Sequence, residues 1–510
     1  MKYDVIIGLE IHAELKTKSK MFCSCDNNPF NFVQGKSEGK EPNSVVCPIC
    51  LGHPGTLPVP NKQAIAWTIL TGLALRGKVN RQSKFDRKNY FYPDLPKGYQ
   101  ISQYDLPLVY DAYLEIDGKK IAITRIHLEE DTGKLSHPSG ADFSLIDFNR
   151  AGTPLMELVT KPVIHDAQTA KKFCQTFQQI LRYLNISDAN MEKGEMRCEA
   201  NISVQKQDKW EYDEVNEIKP TGKNKLNPKI ELKNLNSFKA IEKGIEYEIA
   251  RQIKAIESGK KLVQETRGWD ENKKETVRQR VKETSADYRY FPEPDIPPLN
   301  ISHEWLNEIK VNLIELPPAK KNRFKEQYGL SDYHAEILVS DKALADYTEQ
   351  VISELCAWIN ATGDIWERQK NKLTKLAADW LISELFKHLN TDNKNIKDIK
   401  ITPENFAELI TLVYQNKINS TTAQKILKEM YNHGGDPTNI MDEMGLQQLD
   451  DTVELEKIVV DVIKENPDQV LQYKSGKTAL LQFFIGKTMA ATNGQANPKI
   501  VTEILLKLLK

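Results

Sequence analysis

Alternating residues near the start of the chain have the types and spacing to hold a cation. Apolar residues occupy the odd positions from Val5 to Leu15, and the even positions from 10 onward are Glu10, His12 and Glu14. A period of two predicts a β-strand with one buried face, on which residues two apart lie roughly 7 Å from each other. Glu10 and His12 could therefore share one cation. A single strand of this kind is more often a solvated polar face, so other strands must supply further acids.

Three later segments have strand-like alternation and carry such acids. Each places an acid on one face: Glu129 in segment 121–131, Glu199 in 197–203 and Glu231 in 230–234. Carboxylates gathered on one sheet face repel each other unless a cation or protons compensate. Oxygen ligands with an occasional histidine favour magnesium over zinc, and magnesium with carboxylates and basic side chains suits the handling of ATP phosphates. Whether these strands are neighbours is not visible in the sequence, so a shared site is a hypothesis.

A second candidate metal site consists of cysteines. Cys23 and Cys25 form a CxC pair, and Cys47 and Cys50 form a CxxC pair after a loop of 21 residues. Zinc takes four such thiolates tetrahedrally and would hold together an otherwise polar loop, 23–50. The alternative is a set of free thiols that cluster by chance. Because no fifth ligand is implied, we expect a structural zinc rather than a catalytic one.

Composition limits the function classes. The 510 residues are enough for several domains, and a net charge of −1 gives no global field toward nucleic acid. An RNA contact would need a local patch, such as the basic and aromatic segment 84–100.

We find no apolar run long enough for a membrane span, and the early first strand leaves no room for a signal peptide. Seven cysteines, four of them clustered, suit a reducing cytosol, so we expect a cytoplasmic protein.

The character of the chain changes near residue 295. Before it, strand-like alternation dominates, with helices predicted at 61–75 and 238–257 and an exposed hairpin or loop at 206–228. After it the spacing is helical, with a helix start at Thr402-Pro403 and a stop at Gly434. We therefore predict an α+β protein. It has an antiparallel-sheet domain with flanking helices (1–295), an all-α domain (296–400) and a small all-α tail domain (401–510).

Several stretches together resemble one family, the B subunit of the tRNA-dependent aspartyl/glutamyl amidotransferase, found in complexes of the GatCAB type. The motifs that carry the resemblance are 8–12, 84–103, 127–134, 149–155, 196–201, 231–238, 264–267 and 286–295. The resemblance spans nearly the whole chain, and the tail is similar to a small helical domain that also occurs as a free-standing protein. Many long motifs in the right order make a chance match improbable.

The resemblance implies a ligase of translation that acts on mischarged Glu-tRNA(Gln), Asp-tRNA(Asn) or both. The family phosphorylates the side-chain carboxylate with ATP, and ammonia then displaces phosphate to give the amide. The glutaminase GatA, an amidase-type partner, supplies the ammonia through a tunnel, and the small partner GatC wraps the pair. In this pattern residues 1–295 are the catalytic cradle, and the two helical domains hold the tRNA.

The resemblance also implies roles for particular residues. Metal ligands map onto Glu10, His12 and Glu129, which would also be the catalytic set. Glu199 and Glu231 map onto further acids of the magnesium site. The ammonia tunnel maps onto Lys88 and Lys97, with Glu129 at its exit, where a carboxylate could take a proton from ammonium. The four cysteines 23, 25, 47 and 50 map onto a zinc site that many relatives have and others lack.

Two other functions compete with this one. A non-catalytic tRNA-binding scaffold would keep the helical domains and the cysteine loop but could lose the acids, whereas Glu10, His12, Glu129 and Glu231 are all present. A magnesium-dependent phosphotransferase for a small molecule would leave the two helical domains without a role. Dependence of ATP hydrolysis on mischarged tRNA separates this second alternative from the amidotransferase.

Overall fold

The computed structural model describes residues 2–27, 30–33, 36–138, 140–281, 288–363, 365–446, 451–492 and 495–509. The chain forms two compact units, Met1–Leu316 and Pro317–Lys510. The predicted division into three domains remains a prediction. Positions 28, 29, 34 and 35 of the loop 23–50 and the first two residues of motif 286–295 lie outside the described residues.

Among the residues that the structure describes, the strands and four of the helices lie in the first unit. In chain order the strands are β1 (Tyr3–Glu14), β2 (Phe30–Val33), β3 (Lys36–Gly39), β4 (Lys78–Val79), β5 (Gln82–Ser83), β6 (Asp86–Asn89), β7 (Tyr99–Ser102), β8 (Val109–Ile116), β9 (Lys119–Glu130), β10 (Lys134–Ser136), β11 (Leu145–Asp147), β12 (Pro154–Thr160), β13 (Met196–Lys206), β14 (Trp210–Tyr212), β15 (Ile218–Pro220), β16 (Ile230–Leu235), β17 (Glu265–Asp270), β18 (Glu275–Val281), β19 (Phe291–Pro292) and β20 (Leu299–Asn300). The helices are α1 (Lys62–Ala74), α2 (Ala167–Tyr183), α3 (Phe238–Glu257) and α4 (His303–Val311).

Nine strands form one sheet in the order β18-β17-β16-β13-β1-β12-β9-β8-β4. Neighbours are antiparallel except β16 and β17, which are parallel. The exception has a simple cause, because α3 connects these two strands and a helical crossover returns the chain in the same direction. The predicted sheet domain with flanking helices is confirmed, with this one parallel pair added. The predicted exposed hairpin at 206–228 is formed by β14 and β15.

The two faces of β1 differ as its alternation predicts. Ile7, Leu9 and Ile11 are buried in the main core, which α1, α2 and α3 cover. Glu10 and His12 lie on the opposite face and are partly exposed. Helix α1 begins where its cap predicts, since the Asn61 side chain accepts hydrogen bonds from the backbone N–H groups of residues 63 and 64. The sheet therefore has one apolar face under helices and one polar face that can hold a site.

The second unit is helical. Its helices are α5 (Pro317–Tyr328), α6 (Asp332–Leu338), α7 (Lys342–Ala361), α8 (Trp366–Asp379), α9 (Phe386–Asp392), α10 (Pro403–Tyr414), α11 (Ser420–His433), α12 (Pro437–Glu443), α13 (Thr452–Glu465), α14 (Pro467–Lys474), α15 (Leu480–Ala491) and α16 (Pro498–Leu508). A π-helical segment (Trp380–Leu385) joins α8 to α9, and a 3₁₀ turn (Ile396–Asp398) follows. Thr402 caps α10, and Gly434 ends α11 with a φ of 76°, so both predicted helix signals are confirmed. The α+β class is confirmed as well.

Two packing features organise this helical unit. Helix α10 packs against α7 and α8. Helices α13 to α16 form a core of their own around Leu455, Phe484 and Leu505. Within the part of the chain that the structure describes, none of the helices combines the length and the apolar character needed to cross a membrane.

Candidate active site and cysteine cluster

The register of neighbouring strands brings the predicted His12 together with a glutamate, a second histidine and an arginine from other strands. On β1, His12 pairs with Glu157 of β12 on one side and with Arg197 of β13 on the other. Glu157 in turn pairs with His127 of β9. Residues opposite each other in adjacent strands project to the same face. One row of side chains across the polar face therefore carries a carboxylate between two imidazoles.

Glu157 is the centre of this row. Its Oε2 lies 3.4 Å from Nε2 of His12 and 3.2 Å from Nε2 of His127. Glu157 is only 4% exposed. Burial alone would raise the pKa of Glu157, but the charges and hydrogen bonds of the two histidines hold it well below its usual value. The structure thus places a permanent negative charge in the middle of the site.

His12 is surrounded by three carboxylates. Its Nε2 lies 3.8 Å from Oε1 of Glu10 and 3.7 Å from Oε1 of Glu129, in addition to Glu157. Burial by itself would lower the pKa of His12, but the hydrogen bond and charge of Glu157 and the charges of Glu10 and Glu129 raise it to about 9. The imidazole is therefore protonated at neutral pH in this arrangement and supplies the positive charge that the carboxylates require.

The same atoms fit a divalent cation. Two triads have ligand atoms within 4.8 Å of one another, namely Glu10, His12 and Glu157, and His127, Glu129 and Glu157. Octahedral magnesium with ligands at about 2.1 Å places neighbouring and opposite donors about 3 to 4 Å apart. Nδ1 of His127 is buried without a hydrogen-bond partner. The donor set is rich in oxygen and crowded with like charge, so a cation can take the place of the proton on His12.

Glu199 and Glu231 lie beside this cluster and share another partner. Nζ of Lys233 is 2.9 Å from Oε2 of Glu199 and 3.6 Å from Oε1 of Glu231. Glu199 pairs with Glu10 across β1 and β13, and its charge contributes to raising the pKa of Glu10, after burial and the charge of Glu157. Glu231 also accepts a hydrogen bond from the hydroxyl of Thr266 at 2.7 Å. Their predicted role as magnesium ligands remains a prediction.

The two predicted tunnel lysines lie against opposite sides of β9. Nζ of Lys88 is 3.8 Å from Oε2 of Glu129. Burial alone would lower the pKa of Lys88, but the charges of Glu129 and Glu157 raise it, so this lysine stays charged. Nζ of Lys97 is 2.5 Å from Oε1 of Glu130, the next residue of the strand, which points to the other face. Lys97 lines a cavity of about 210 Å³ together with Cys23 and Cys50.

Two arginines border the histidine and carboxylate row. Nη2 of Arg197 lies 2.9 Å from Oδ2 of Asp131, and Nε of Arg150 lies 3.4 Å from the same oxygen. Burial and the adjacent Asp131 raise the pKa of Glu14 to about 8. Glu14 therefore carries a proton at neutral pH, whereas Asp131 is held ionised by the arginines. With Glu14 protonated, the two arginines outweigh the single charge of Asp131, so this second group has no excess of negative charge.

Sequence reasoning missed Glu157 altogether and gave His127 no role. Segment 154–159 is apolar on both faces except for this one acid, because β12 lies inside the sheet and Leu155 is also buried. The alternation that marked β1 and β9 is absent there. A signal was nevertheless present, since a lone glutamate within a continuous apolar strand is rarely buried unless it is paired.

The four cysteines meet as predicted. The Sγ atoms of Cys23, Cys25, Cys47 and Cys50 all lie within 4.8 Å of one another. Tetrahedral zinc with Zn–S bonds of about 2.3 Å requires sulfurs roughly 3.8 Å apart. The predicted cluster is therefore present, and its size suits a tetrahedral metal.

The environment of Cys50 favours its thiolate form. A hydrogen bond from Cys23 lowers the pKa of Cys50 to about 4 against the effect of burial, with help from the backbone N–H of Cys47 and the charge of Lys20. Nζ of Lys20 lies 3.9 Å from Sγ of Cys50 and donates to the carbonyl of Val45 at 2.8 Å. Since a metal binds the thiolate, this buried lysine favours the ligating form.

Comparison with known proteins places this arrangement in a family. The chain has a mixed sheet that gathers carboxylates and histidines on one face, and residues 5–307 match the family described as the GatB/GatE catalytic domain. Residues 365–509 match the GatB domain. The chain therefore belongs to the GatB family, which confirms the predicted family.

Relatives that match over the full length of the chain support the same family. The chain is 44% identical to the B subunit of the aspartyl/glutamyl-tRNA(Asn/Gln) amidotransferase of Thermodesulfovibrio yellowstonii over 100% of both chains. It is 45% identical to the protein of the same name from Caldanaerobacter subterraneus, over 99% of each chain. It is also 45% identical to that of Carboxydothermus hydrogenoformans, over 99% of this chain and 98% of the relative.

Proposed function

We propose that this chain is the component of a tRNA-dependent amidotransferase that activates and amidates the amino acid on mischarged Glu-tRNA(Gln), Asp-tRNA(Asn) or both. Relatives that match this chain over nearly their whole length carry the name of that enzyme's B subunit. The observation that supports catalysis on this chain is the row His12, Glu157 and His127 with Glu129 beside it. A scaffold that only binds tRNA has no need of buried charges of this kind, which are costly unless they are paired.

The reaction starts from a poor acyl donor. The side-chain carboxylate of the aminoacyl group attacks the γ-phosphorus of ATP, the bond to the bridging oxygen breaks, and ADP leaves. Ammonia then adds to the carbonyl carbon of the acyl phosphate, loses a proton and expels inorganic phosphate to give the amide. Both steps bring anions together, so the site must supply positive charge.

The residues that would hold Mg²⁺ are Glu10, His12, Glu129 and Glu157, with His127 against the other side of Glu157. When bound, Mg²⁺ would neutralise charge on the ATP phosphates and the attacking carboxylate. Glu199 and Glu231 remain proposed outer acids, held at present by Lys233. Lys88 adds a fixed ammonium group that can stabilise the acyl phosphate oxygens.

Glu129 has a second role in this proposal. Its Oε2 accepts a hydrogen bond from the hydroxyl of Ser102 at 3.1 Å and lies 3.8 Å from Nζ of Lys88. A carboxylate at the end of an ammonia path can take a proton from ammonium and release the nucleophile. Lys97 and the cavity beside it belong to the proposed path, which would receive ammonia from the glutaminase GatA. The small partner GatC would complete the assembly.

The remaining parts have supporting roles. Zn²⁺ at the four cysteines would hold the loop 23–50 and take no part in the reaction, since all four positions of a tetrahedral ion are filled by protein. Residues 296–400 and 401–510 would bind tRNA. The clustered thiols and the separate core of α13 to α16 support these assignments.

The experiment that tests this function is ATP hydrolysis without ammonia. Purified chain, Mg²⁺ and ATP are mixed with Glu-tRNA(Gln) or with uncharged tRNA(Gln), and phosphate release is followed. We expect release to require the aminoacylated tRNA and to be lost in Glu129→Gln. The matched control is Glu115→Gln, an exposed carboxylate on β8 of the same sheet. Hydrolysis that is indifferent to the aminoacyl group would refute the proposal in favour of a small-molecule phosphotransferase.

A further inference from the structure

Four tyrosine rings contact one another in series beside the candidate active site. The ring centroids of Tyr90 and Tyr288 are 5.7 Å apart, and those of Tyr288 and Tyr290 are 6.3 Å apart, both edge to face. Tyr290 and Tyr104 are 4.3 Å apart with an angle of 13° between their planes, so this last pair is stacked. We call these four residues the tyrosine row.

The two middle rings of the tyrosine row lie beside charged groups of the candidate active site. Nζ of Lys88, which neighbours Glu129, is 5.1 Å from the ring centroid of Tyr288. Burial raises the pKa of Tyr290 to about 12, and the charges of Glu129 and Glu157 add to this against the opposing charge of Lys88. The phenol of Tyr290 thus feels the same charges as the proposed metal site.

Tyr104, at one end of the row, lies at the surface and is held in place. Tyr104 is 59% exposed even though one of its ring faces is stacked on Tyr290. Its backbone N–H donates to Oδ2 of Asp86 at 3.0 Å. The segment that carries Tyr288 and Tyr290 is fixed to β6, because Asn89 donates to the carbonyls of Tyr288 at 2.8 Å and Arg289 at 2.7 Å. An exposed aromatic face on a rigid support loses little entropy when a flat ligand stacks on it.

We propose that the stacked pair Tyr104 and Tyr290 is a platform for the adenine ring of a substrate of this site. The inference rests on the proposed function, in which both substrates carry adenine, one in ATP and one in the terminal adenosine to which the amino acid is attached. Each would have to place its reacting phosphate or carboxylate at Glu129 and Glu157, while its ribose and linking groups carry the base outward. Stacking on tyrosine is the usual way in which proteins hold a base without reading its sequence.

If the stacked pair Tyr104 and Tyr290 has only a structural role, different effects of substitution are expected. Tyr104 could stack on Tyr290 only to cover the segment 288–292, and its loss would then change stability and leave substrate affinity alone. An exposed fraction of 59% argues that the ring covers little. Affinity and stability therefore have to be measured on the same variants.

The test uses Tyr104→Ala and Tyr104→Trp in the full chain, together with its partner subunits if the chain alone is inactive. KM is measured for ATP at saturating Glu-tRNA(Gln) and for Glu-tRNA(Gln) at saturating ATP. Because stacking contributes about 1 to 3 kcal/mol per base, Tyr104→Ala should raise one of the two KM values by about fivefold or more. Tyr104→Trp should restore it. The control Phe143→Ala removes an aromatic side chain of nearly equal exposure, 58%, and should change neither value.

The outcomes separate the platform from the proposed function. A higher KM for ATP identifies ATP as the source of the adenine, and a higher KM for the tRNA identifies its terminal adenosine. If both KM values stay within twofold of wild type, or if only kcat or the melting temperature changes, the platform is wrong. If the wild-type complex forms no amide at all, the proposed function fails. In that case the Kd values of ATP and of Glu-tRNA(Gln) are measured for wild type and Tyr104→Ala. A rise of about fivefold in one Kd supports the platform, and two unchanged Kd values refute it.

Discussion

Binding of Mg²⁺ to the sheet face should release a proton from His12. In the metal-free protein the pKa of His12 is about 9 because three carboxylates surround it. A metal ligand must be a neutral imidazole, so the proton and the cation compete for the same nitrogen. We therefore expect the affinity for Mg²⁺ to fall as the pH is lowered through and below 9.

The structure sets the size of this effect. With a pKa of about 9, His12 is half neutral at pH 9 and only about 1% neutral at pH 7. The apparent Kd for Mg²⁺ should therefore be about fiftyfold weaker at pH 7 than at pH 9, with about one proton released per ion at pH 7 and about half a proton at pH 9. Protonation of Glu10, whose pKa is raised mainly by burial and by Glu157, would act in the same direction.

Isothermal titration calorimetry at pH 7, 8 and 9 measures both quantities, since buffers of different ionisation enthalpy report the protons released. His12→Asn should bind Mg²⁺ more weakly at pH 9 and should lose most of the pH dependence. A second readout comes from stability in EDTA. Because the folded pKa of His12 lies above its ordinary value of 6.5, its contribution is complete below about pH 6.5 and is lost as the pH rises to about 9. A Kd that does not depend on pH, with no proton released, would refute this account of His12.

Three further predictions concern separate parts of the molecule. Glu157→Gln should lower kcat for amide formation by about a hundredfold or more while the Kd for tRNA stays unchanged, because it removes the anion shared by two histidines; a kcat within threefold of wild type would contradict the site. Cys47→Ser should lower the melting temperature and leave kcat per folded molecule unchanged, as measured by calorimetry and active-site titration; lost rate at full stability would argue against a structural zinc. Deletion of residues 451–510, whose helices form their own core, should raise KM for tRNA about fivefold or more without lowering ATP affinity, and an unchanged KM would mean that these helices do not contact the tRNA.

Local signals were sufficient for much of the fold. The alternation of β1 predicts which of its side chains are buried, and the Asn61 and Thr402 caps predict where α1 and α10 begin. Capping and alternation are local effects, in which a residue satisfies neighbouring backbone groups or follows a fixed period. The same is true of the cysteine pairs, whose short spacings require each pair to meet.

The parts of the site that the sequence did not reveal depend on residues far apart in the chain. Glu10 lies opposite Glu199 because β1 pairs with β13, and Glu157 lies between two histidines because β12 is inserted between β1 and β9. No local pattern specifies that order of strands. Lys97 shows the same limit, since only the packing of its loop beside β9 decides that it meets Glu130 rather than Glu129.

The central claim is that amide formation takes place on this chain, and the most direct test omits the glutaminase. The purified chain is mixed with Mg²⁺, ATP, ammonium chloride and Glu-tRNA(Gln), and Gln-tRNA(Gln) is measured. We predict product that requires ATP, disappears in Glu129→Gln and persists in Glu115→Gln. Absence of product both from the chain alone and after the partner subunits are added would contradict it and favour a non-catalytic tRNA-binding scaffold.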